Sequence, residues 1–69
     1  MSALLRRGDV GPAVAEVRAR LAWLGLCNDD AADVQTFDDE LDRAVRAFQQ
    51  ERGITVDGIV GPHTFRRLE

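Results

Sequence analysis

The sequence predicts an all-α fold, a compact domain of three helices. Two segments repeat apolar residues at the spacing of one helical face, and a glycine follows each of them. A Gly-Pro pair or a run of acidic residues precedes each predicted helix, as is typical of helix starts. No segment sustains the alternation of polar and apolar residues that indicates a strand.

The first helix is predicted to run from Pro12 to about Leu24. Proline suits the first helical position, where its missing N–H is not needed, and Gly25 suits the left-handed position after the last turn. At about 100° per residue, the apolar side chains of this helix fall within a sector of about 80°. They are Val14, Val17, Leu21 and Leu24.

The second helix is predicted to begin near Asp38 and to end at Gly53. Three consecutive acidic residues, 38–40, lie where the helix dipole favours negative charge. The residues expected on its inner face are Leu41, Ala44, Val45 and Phe48.

The third predicted helix is short and begins at Pro62. Its inward residues are expected to be Thr64, Phe65 and Leu68. An Asp57-Gly58 turn precedes it, and the apolar residues around that turn (Ile54, Val56 and Ile59) are expected to pack against the first two helices. A brief pairing of Thr55 and Val56 with residues near Val10 is also expected.

Composition limits the classes of function. A chain of 69 residues is one small domain, residues 1–69. A formal net charge of −3 argues against nucleic-acid binding, which needs a concentrated basic surface. One cysteine, Cys27, allows neither an internal disulfide nor a thiolate zinc site, and no apolar run is long enough to insert into a membrane.

The sequence predicts no metal site, no cofactor and no catalytic constellation. The acidic segment NDDAADVQTF (residues 28–37) lacks the glycine of a calcium loop, so we expect a solvated loop. His63 is the single histidine, and without a second one it completes neither a metal site nor a pair with Cys27.

Three motifs follow one another along nearly the whole chain. They are Gly-Asp-x-Gly-Pro-x-Val before helix one, Ala-Val-x-x-Phe-Gln on helix two, and a final Gly-x-x-x-Asp-Gly-x-x-Gly-Pro-x-Thr-x-x-x-Leu. In this chain they comprise Gly8, Asp9, Gly11, Pro12 and Val14; Ala44, Val45, Phe48 and Gln49; Gly53, Asp57, Gly58, Gly61, Pro62, Thr64 and Leu68. In these motifs the sequence resembles the peptidoglycan-binding-like domain family. The resemblance implies a non-catalytic three-helix module that holds cell-wall hydrolases, such as muramoyl-alanine amidases, on peptidoglycan.

Two departures from the family pattern lie in the first half of the chain. Arg18 stands where family members usually carry glutamine, after the second apolar position of helix one. The segment DVQTFDDE (residues 33–40) replaces an Asp-Gly-x-x-Gly turn before helix two. The first half of the family pattern is therefore degenerate, and the ligand contacts that the resemblance would imply there are not carried over to this chain.

The candidate ligand-binding residues around the last turn are Gln49, Asp57, Gly58, Gly61 and Thr64. Gln49 lies about 90° from the middle of helix two's apolar stripe, at the expected boundary between core and solvent. Its amide either fastens the Asp57 loop or offers two donors and an acceptor to a ligand. Most of the other residues also have structural explanations: the glycines allow the turns, and Asp57 can accept backbone hydrogen bonds.

Trp23 is a further candidate because it points about 140° away from helix one's apolar stripe. We expect it to be exposed, and exposed tryptophan is enriched among residues that dominate binding energy. It could stack on a sugar face, dock on a protein partner, or be covered locally by Arg20 or Ala19.

The function predicted on these grounds is non-catalytic binding of peptidoglycan or of its glycan and stem-peptide fragments, by one module of a larger cell-wall protein. The alternative is a cytoplasmic protein-interaction domain that regulates peptidoglycan synthesis. The first places the chain in the cell wall or periplasm, and the second applies if Met1 is the native start.

Overall fold

The computed structural model describes residues 4–28 and 33–68, excluding the side chain of His63. Over these ranges the chain forms three helices: α1 (Pro12–Trp23), α2 (Asp39–Arg52) and α3 (Pro62–Leu68). No strand occurs in the described ranges. The prediction of an all-α three-helix domain is confirmed.

Helix α1 ends one residue before the predicted boundary. The N–H of Leu24 still donates to the carbonyl of Arg20 (3.2 Å), but the next residue, Gly25, turns into the left-handed region at φ +80°. The predicted place of Leu24 on the buried stripe is wrong: the chain leaves the helix there and the side chain is 41% exposed. Leu26 packs against the core after the turn.

Helix α2 follows its prediction closely. Asp38 caps the first turn, where its side chain accepts a hydrogen bond from the N–H of Leu41 (3.0 Å), and Gly53 ends the helix at φ +72°. These caps satisfy backbone groups that have no partner inside the helix. All four residues of the predicted inner face are buried: Leu41, Ala44, Val45 and Phe48.

The N-terminal segment pairs through its backbone with the loops that precede α2 and α3. Leu5 pairs with Val60, N–H to carbonyl in both directions at 3.1 and 2.7 Å, and Val10 pairs with Thr36. The predicted pairing of Thr55 and Val56 with residues near Val10 is wrong, because Val10 lies beside the loop before α2 instead.

The bridge to Leu5 also decides which residue of the last turn is buried. Val60 is fully buried, whereas Val56 is 46% exposed and Ile59 and Ile54 are half-buried. The prediction that Val56 and Ile59 fill this part of the core is therefore wrong. Consecutive residues of an extended segment point to opposite sides, so an inward Val60 turns Ile59 outward.

The core lies between the three helices and is completed by residues from the loops. Its helical members are the predicted stripe residues of α1 and α2 other than Leu24, together with Leu68. Leu5, Phe37 and Val60 complete it from the connecting segments. In α3, Thr64 and Leu68 are buried as predicted, and Phe65 is half-buried against the core.

Candidate ligand-binding groove

A groove of about 570 Å³ lies at the end of α2, where the chain turns into α3. Four of the residues predicted to bind a ligand line it: Gln49, Asp57, Gly61 and Thr64. The remaining lining residues are Leu4, Gly53, Ile54, Thr55, Ile59, Pro62 and Arg67. The groove thus combines apolar side chains with a few polar groups, as small-ligand sites usually do.

Gln49 forms the inner wall of the groove. Its Oε1 accepts hydrogen bonds from the backbone N–H groups of Asp57 (3.2 Å) and Gly58 (3.0 Å). Its Nε2 donates to Asp57 Oδ1 (2.9 Å), the carbonyl of Ile59 (3.0 Å) and Thr64 Oγ1 (3.3 Å). The predicted position of Gln49 at the boundary with solvent is wrong, since it is only 1% exposed. Its amide fastens the loop, which is the first of its two predicted roles.

Asp57 lies on the exposed side of the same loop. Its Oδ1 accepts hydrogen bonds from the N–H of Ile59 (2.9 Å) and from Gln49. These two bonds favour the charged form and hold the pKa of Asp57 below its usual value. The carboxylate therefore both fixes the turn, as predicted, and adds a negative charge to the groove at neutral pH.

Gly61 and Thr64 shape the opposite side of the groove. A Cβ atom on Gly61 would approach Leu4 Cδ2 to 3.1 Å, so the absent side chain leaves room for Leu4. Thr64 is buried, and its hydroxyl lies 3.4 Å from the carbonyl of Ile59, to which it donates. Thr64 thus satisfies a loop carbonyl from the first turn of α3.

Gly58 does not line the groove, although it belongs to the same loop. It lines a second cavity, beside Asp42 and Arg46. Its backbone has φ +72°, and an added Cβ would lie 2.7 Å from Asp42 Oδ1 and 2.8 Å from Arg46 Nη2. The left-handed backbone conformation favours glycine there, and an added Cβ would also displace the ends of these two side chains.

Trp23 lies at the C-terminal end of α1 and lines neither cavity. Its side chain is 81% exposed, which confirms the predicted exposure. The alternative prediction, that Arg20 or Ala19 covers the tryptophan ring, is therefore wrong. Its predicted role in binding stays a prediction.

The structure also shows a buried polar residue whose role the sequence did not indicate. Arg18 is fully buried, and its Nη2 donates to the carbonyl of Thr36 (2.9 Å) and to Asp38 Oδ1 (3.0 Å). Its Nη1 lies 3.4 Å from Glu40 Oε1. Burial opposes the charge, but the hydrogen bond and charge of Asp38 hold the pKa of Arg18 above its usual value. Helical spacing could have indicated this burial, because Arg18 follows Val14 by four residues and therefore lies on the same face of α1.

Metal-ligating side chains do not cluster in the described ranges. Within them, no group of three or more His, Cys, Asp or Glu side chains could hold a metal ion, though part of the acidic loop, 29–32, lies outside the description. Cys27 is half-buried, with Sγ 3.8 Å from Arg18 Nη1, and burial raises the pKa of its thiol. None of the described helices is both long and apolar enough to cross a membrane.

Comparison with known proteins agrees with this architecture. The chain is 49% identical to N-acetylmuramoyl-L-alanine amidase CwlM of Mycobacterium tuberculosis over 94% of its length, and 38% identical to the spore cortex-lytic enzyme of Halalkalibacterium halodurans over 96%. It spans only 18% and 19% of those two proteins. It superimposes on the crystal structure of the SleB N-terminal domain with a TM-score of 0.85 and 31% identity, covering 96% of this chain and 88% of that one.

Residues 10–68 match the family described as "Putative peptidoglycan binding domain". This match covers the three helices and every groove-lining residue except Leu4, and it includes all of the second and third motifs. The chain is a member of the peptidoglycan-binding domain family.

Proposed function

We propose that this chain is a non-catalytic module that binds peptidoglycan through the groove between α2 and α3. Membership of the peptidoglycan-binding domain family supports the ligand class. The related amidase and cortex-lytic enzyme are more than five times longer than the segment they share with this chain, which leaves room for catalysis in other domains. The module would then serve to hold such a domain on its substrate.

The observation that carries this proposal is a groove whose wall is already ordered. Gln49 makes five hydrogen bonds to the loop and to α3, and these bonds set the positions of Asp57 and Ile59. A ligand that enters does not have to order this loop, so less of its binding energy is lost. The amide of Gln49 does not itself contact the ligand, because its donors and its acceptor already form hydrogen bonds inside the protein.

The groove's remaining surface suits a ligand with both apolar and charged parts. Leu4, Ile54 and Pro62 provide apolar area on which a sugar ring or an alanine methyl group can pack. Arg67 forms no ion pair with the described residues, so its guanidinium is available for a stem-peptide carboxylate. Asp57 can accept hydrogen bonds from sugar hydroxyls or peptide N–H groups.

Co-sedimentation with purified sacculi tests the proposal. The domain should be enriched over serum albumin at both low and moderate salt, and Leu4→Glu and Arg67→Gln should each reduce the bound fraction at least fivefold. Arg43→Gln is the matched control, since Arg43 is exposed on α2 and lines neither cavity. Absence of enrichment for the unmodified domain would contradict peptidoglycan binding, and equal losses in all three variants would contradict the groove.

A second candidate function is supported by Trp23. An exposed tryptophan outside the groove suits contact with a protein, as expected of an interaction domain that regulates peptidoglycan synthesis from the cytoplasm. The location of the full-length protein separates the two functions. A protein found in the wall or periplasm agrees with wall anchoring, whereas a cytoplasmic protein favours the regulatory role.

A further inference from the structure

A second cavity, of about 330 Å³, shares Asp57 and Ile59 with the groove. We name it the arginine cleft. It is lined by Arg6, Arg7, Asp42, Arg46, Asp57, Gly58 and Ile59. Three arginines thus converge on one cavity in a chain whose formal net charge is −3.

Two carboxylates, Asp42 and Asp57, line the cleft with the three arginines, so three positive and two negative charges leave its lining with a formal charge of +1. Arg46 pairs with Asp42, Nε to Oδ2 at 3.2 Å. Arg7 pairs only with Asp39, at 2.9 Å, and both side chains are largely exposed, so that pair is weak. Arg6 forms no ion pair with any described residue, so its charge remains available to a ligand.

Arg46 is held in place at the floor of the cleft. Besides its pair with Asp42, its Nη2 donates to the carbonyl of Asp57 at 3.4 Å. The absence of a side chain on Gly58 lets both Asp42 and Arg46 lie against the loop. The hydrogen bonds of Arg46 to described residues are made by Nε and Nη2, so Nη1 is available to a ligand.

We propose that the arginine cleft binds an oxyanion, a carboxylate or a phosphate group, between Arg6, Arg7 and Arg46. Guanidinium groups present paired N–H donors that match the two oxygens of such groups. The cleft is large enough for one such group and open to solvent, so the anion can be part of a larger molecule. None of these three arginines lines the groove, so the proposal does not depend on what the groove binds.

Titration of the ¹⁵N-labelled chain followed by NMR tests the cleft. Sodium phosphate and sodium acetate are added separately, each against sodium chloride at equal ionic strength. The backbone N–H signals of Gly58 and Ile59 and the Nε–H signal of Arg46 should shift with saturation for at least one of the two anions. The double variant Arg6→Gln/Arg7→Gln should weaken its apparent affinity at least fivefold.

The matched control is Arg43→Gln/Arg66→Gln, which removes the same charge from exposed positions outside both cavities. Shifts that grow linearly, or that weaken equally in the two double variants, would overturn the proposal. Saturation with phosphate alone assigns a phosphate ligand, and saturation with acetate assigns a carboxylate. Because the readout is at the cleft, its failure would leave the sacculus result for the groove unaffected.

Discussion

Arg18 on α1 and Gln49 on α2 have the same structural relationship to the chain that follows them. Each comes after two apolar residues of the same spacing, Val14 and Val17 before the first, Val45 and Phe48 before the second. Each is fully or almost fully buried, and each donates hydrogen bonds to the loop that precedes the next helix.

The two loops differ, and the two side chains differ with them. The loop before α3 presents backbone N–H groups and a carboxylate, so a neutral amide with both a donor and an acceptor satisfies it. The loop before α2 and the first turn of α2 present a carbonyl and two carboxylates, which need only donors and a positive charge. Arginine in place of the family's usual glutamine is thus matched by the acidic segment that replaces the glycine-rich turn. Ion pairs hold the loop in the first half of the chain, whereas a neutral amide holds it in the second.

Arg18→Ala should therefore destabilise the domain strongly. Removing one partner of a buried ion pair commonly costs about 3–5 kcal/mol of unfolding free energy. Asp38 and Glu40 remain partly exposed to water, so we expect a cost nearer 2–3 kcal/mol, from the lost carbonyl contact and the cavity. Urea denaturation measures the change. Arg43→Ala, on the solvent face of α2, should stay within about 0.5 kcal/mol, and equal midpoints for the two variants would show that Arg18 contributes no net stability.

Two glycines with the same backbone conformation allow the cost of backbone strain to be measured apart from the cost of close packing. Gly53 and Gly58 both have φ +72°, but an added Cβ meets no atom within 4 Å at Gly53. Alanine at Gly53 should cost about 1–2 kcal/mol for the left-handed conformation alone. Gly58→Ala should cost up to about 1 kcal/mol more, because it also displaces the exposed Asp42–Arg46 pair. Thermal denaturation gives both values.

The Nε–H signal of Arg46 provides the specific readout for this pair of variants. It should shift in Gly58→Ala and stay in place in Gly53→Ala, since only the first substitution adds an atom close to the Asp42–Arg46 ion pair. An unmoved signal in both variants would mean that Arg46 does not rest against Gly58 in solution.

Acid should weaken the domain through Asp38 and Asp57. Hydrogen bonds, from the N–H of Leu41 to Asp38 and from the N–H of Ile59 to Asp57, hold the pKa of both carboxyl groups below their usual value. Above the unfolded pKa of about 3.9 both states are charged and the stabilisation is complete. As the pH falls below that value the unfolded chain takes up protons first, so stability decreases until the folded pKa is passed.

Urea midpoints between pH 7 and pH 2.5 measure this loss. Asp57→Asn keeps a carbonyl oxygen for the N–H of Ile59 but cannot titrate, so its midpoint should fall less steeply below pH 4 than that of the unmodified domain. A parallel decline of the two curves would contradict a depressed pKa at Asp57.

The helices could be predicted from the sequence because their determinants are local. Gly53 and Asp38 fix the ends of α2 within a few residues of its apolar stripe, and both act as predicted. The burial of Gln49 could not be predicted in the same way, because it depends on the loop that folds over it from eight residues further along the chain. Val60 was missed for a similar reason: its inward direction is set by pairing with Leu5 at the other end of the chain. Apart from Leu24, which the end of α1 turns outward, the positions that periodicity predicted wrongly are set by contacts outside their own segment.

The last prediction concerns Trp23, whose exposed ring the fold does not require. Trp23→Ala should change the unfolding free energy by less than about 1 kcal/mol, as surface substitutions do. Because Trp23 is the single tryptophan, the emission maximum of the native domain should be that of tryptophan in water. A strongly blue-shifted maximum would contradict the exposure seen in the structure.

Binding to sacculi tests the predicted role of Trp23. Peptidoglycan is a polymer that extends past the groove, so a ring on the end of α1 can stack on a neighbouring sugar of the same strand. Loss of an exposed aromatic anchor commonly costs about 2 kcal/mol or more of binding free energy. We therefore expect Trp23→Ala to bind sacculi at least tenfold more weakly while folding normally. Unchanged retention on sacculi would remove Trp23 from the wall-binding surface and leave contact with a protein partner as its remaining role.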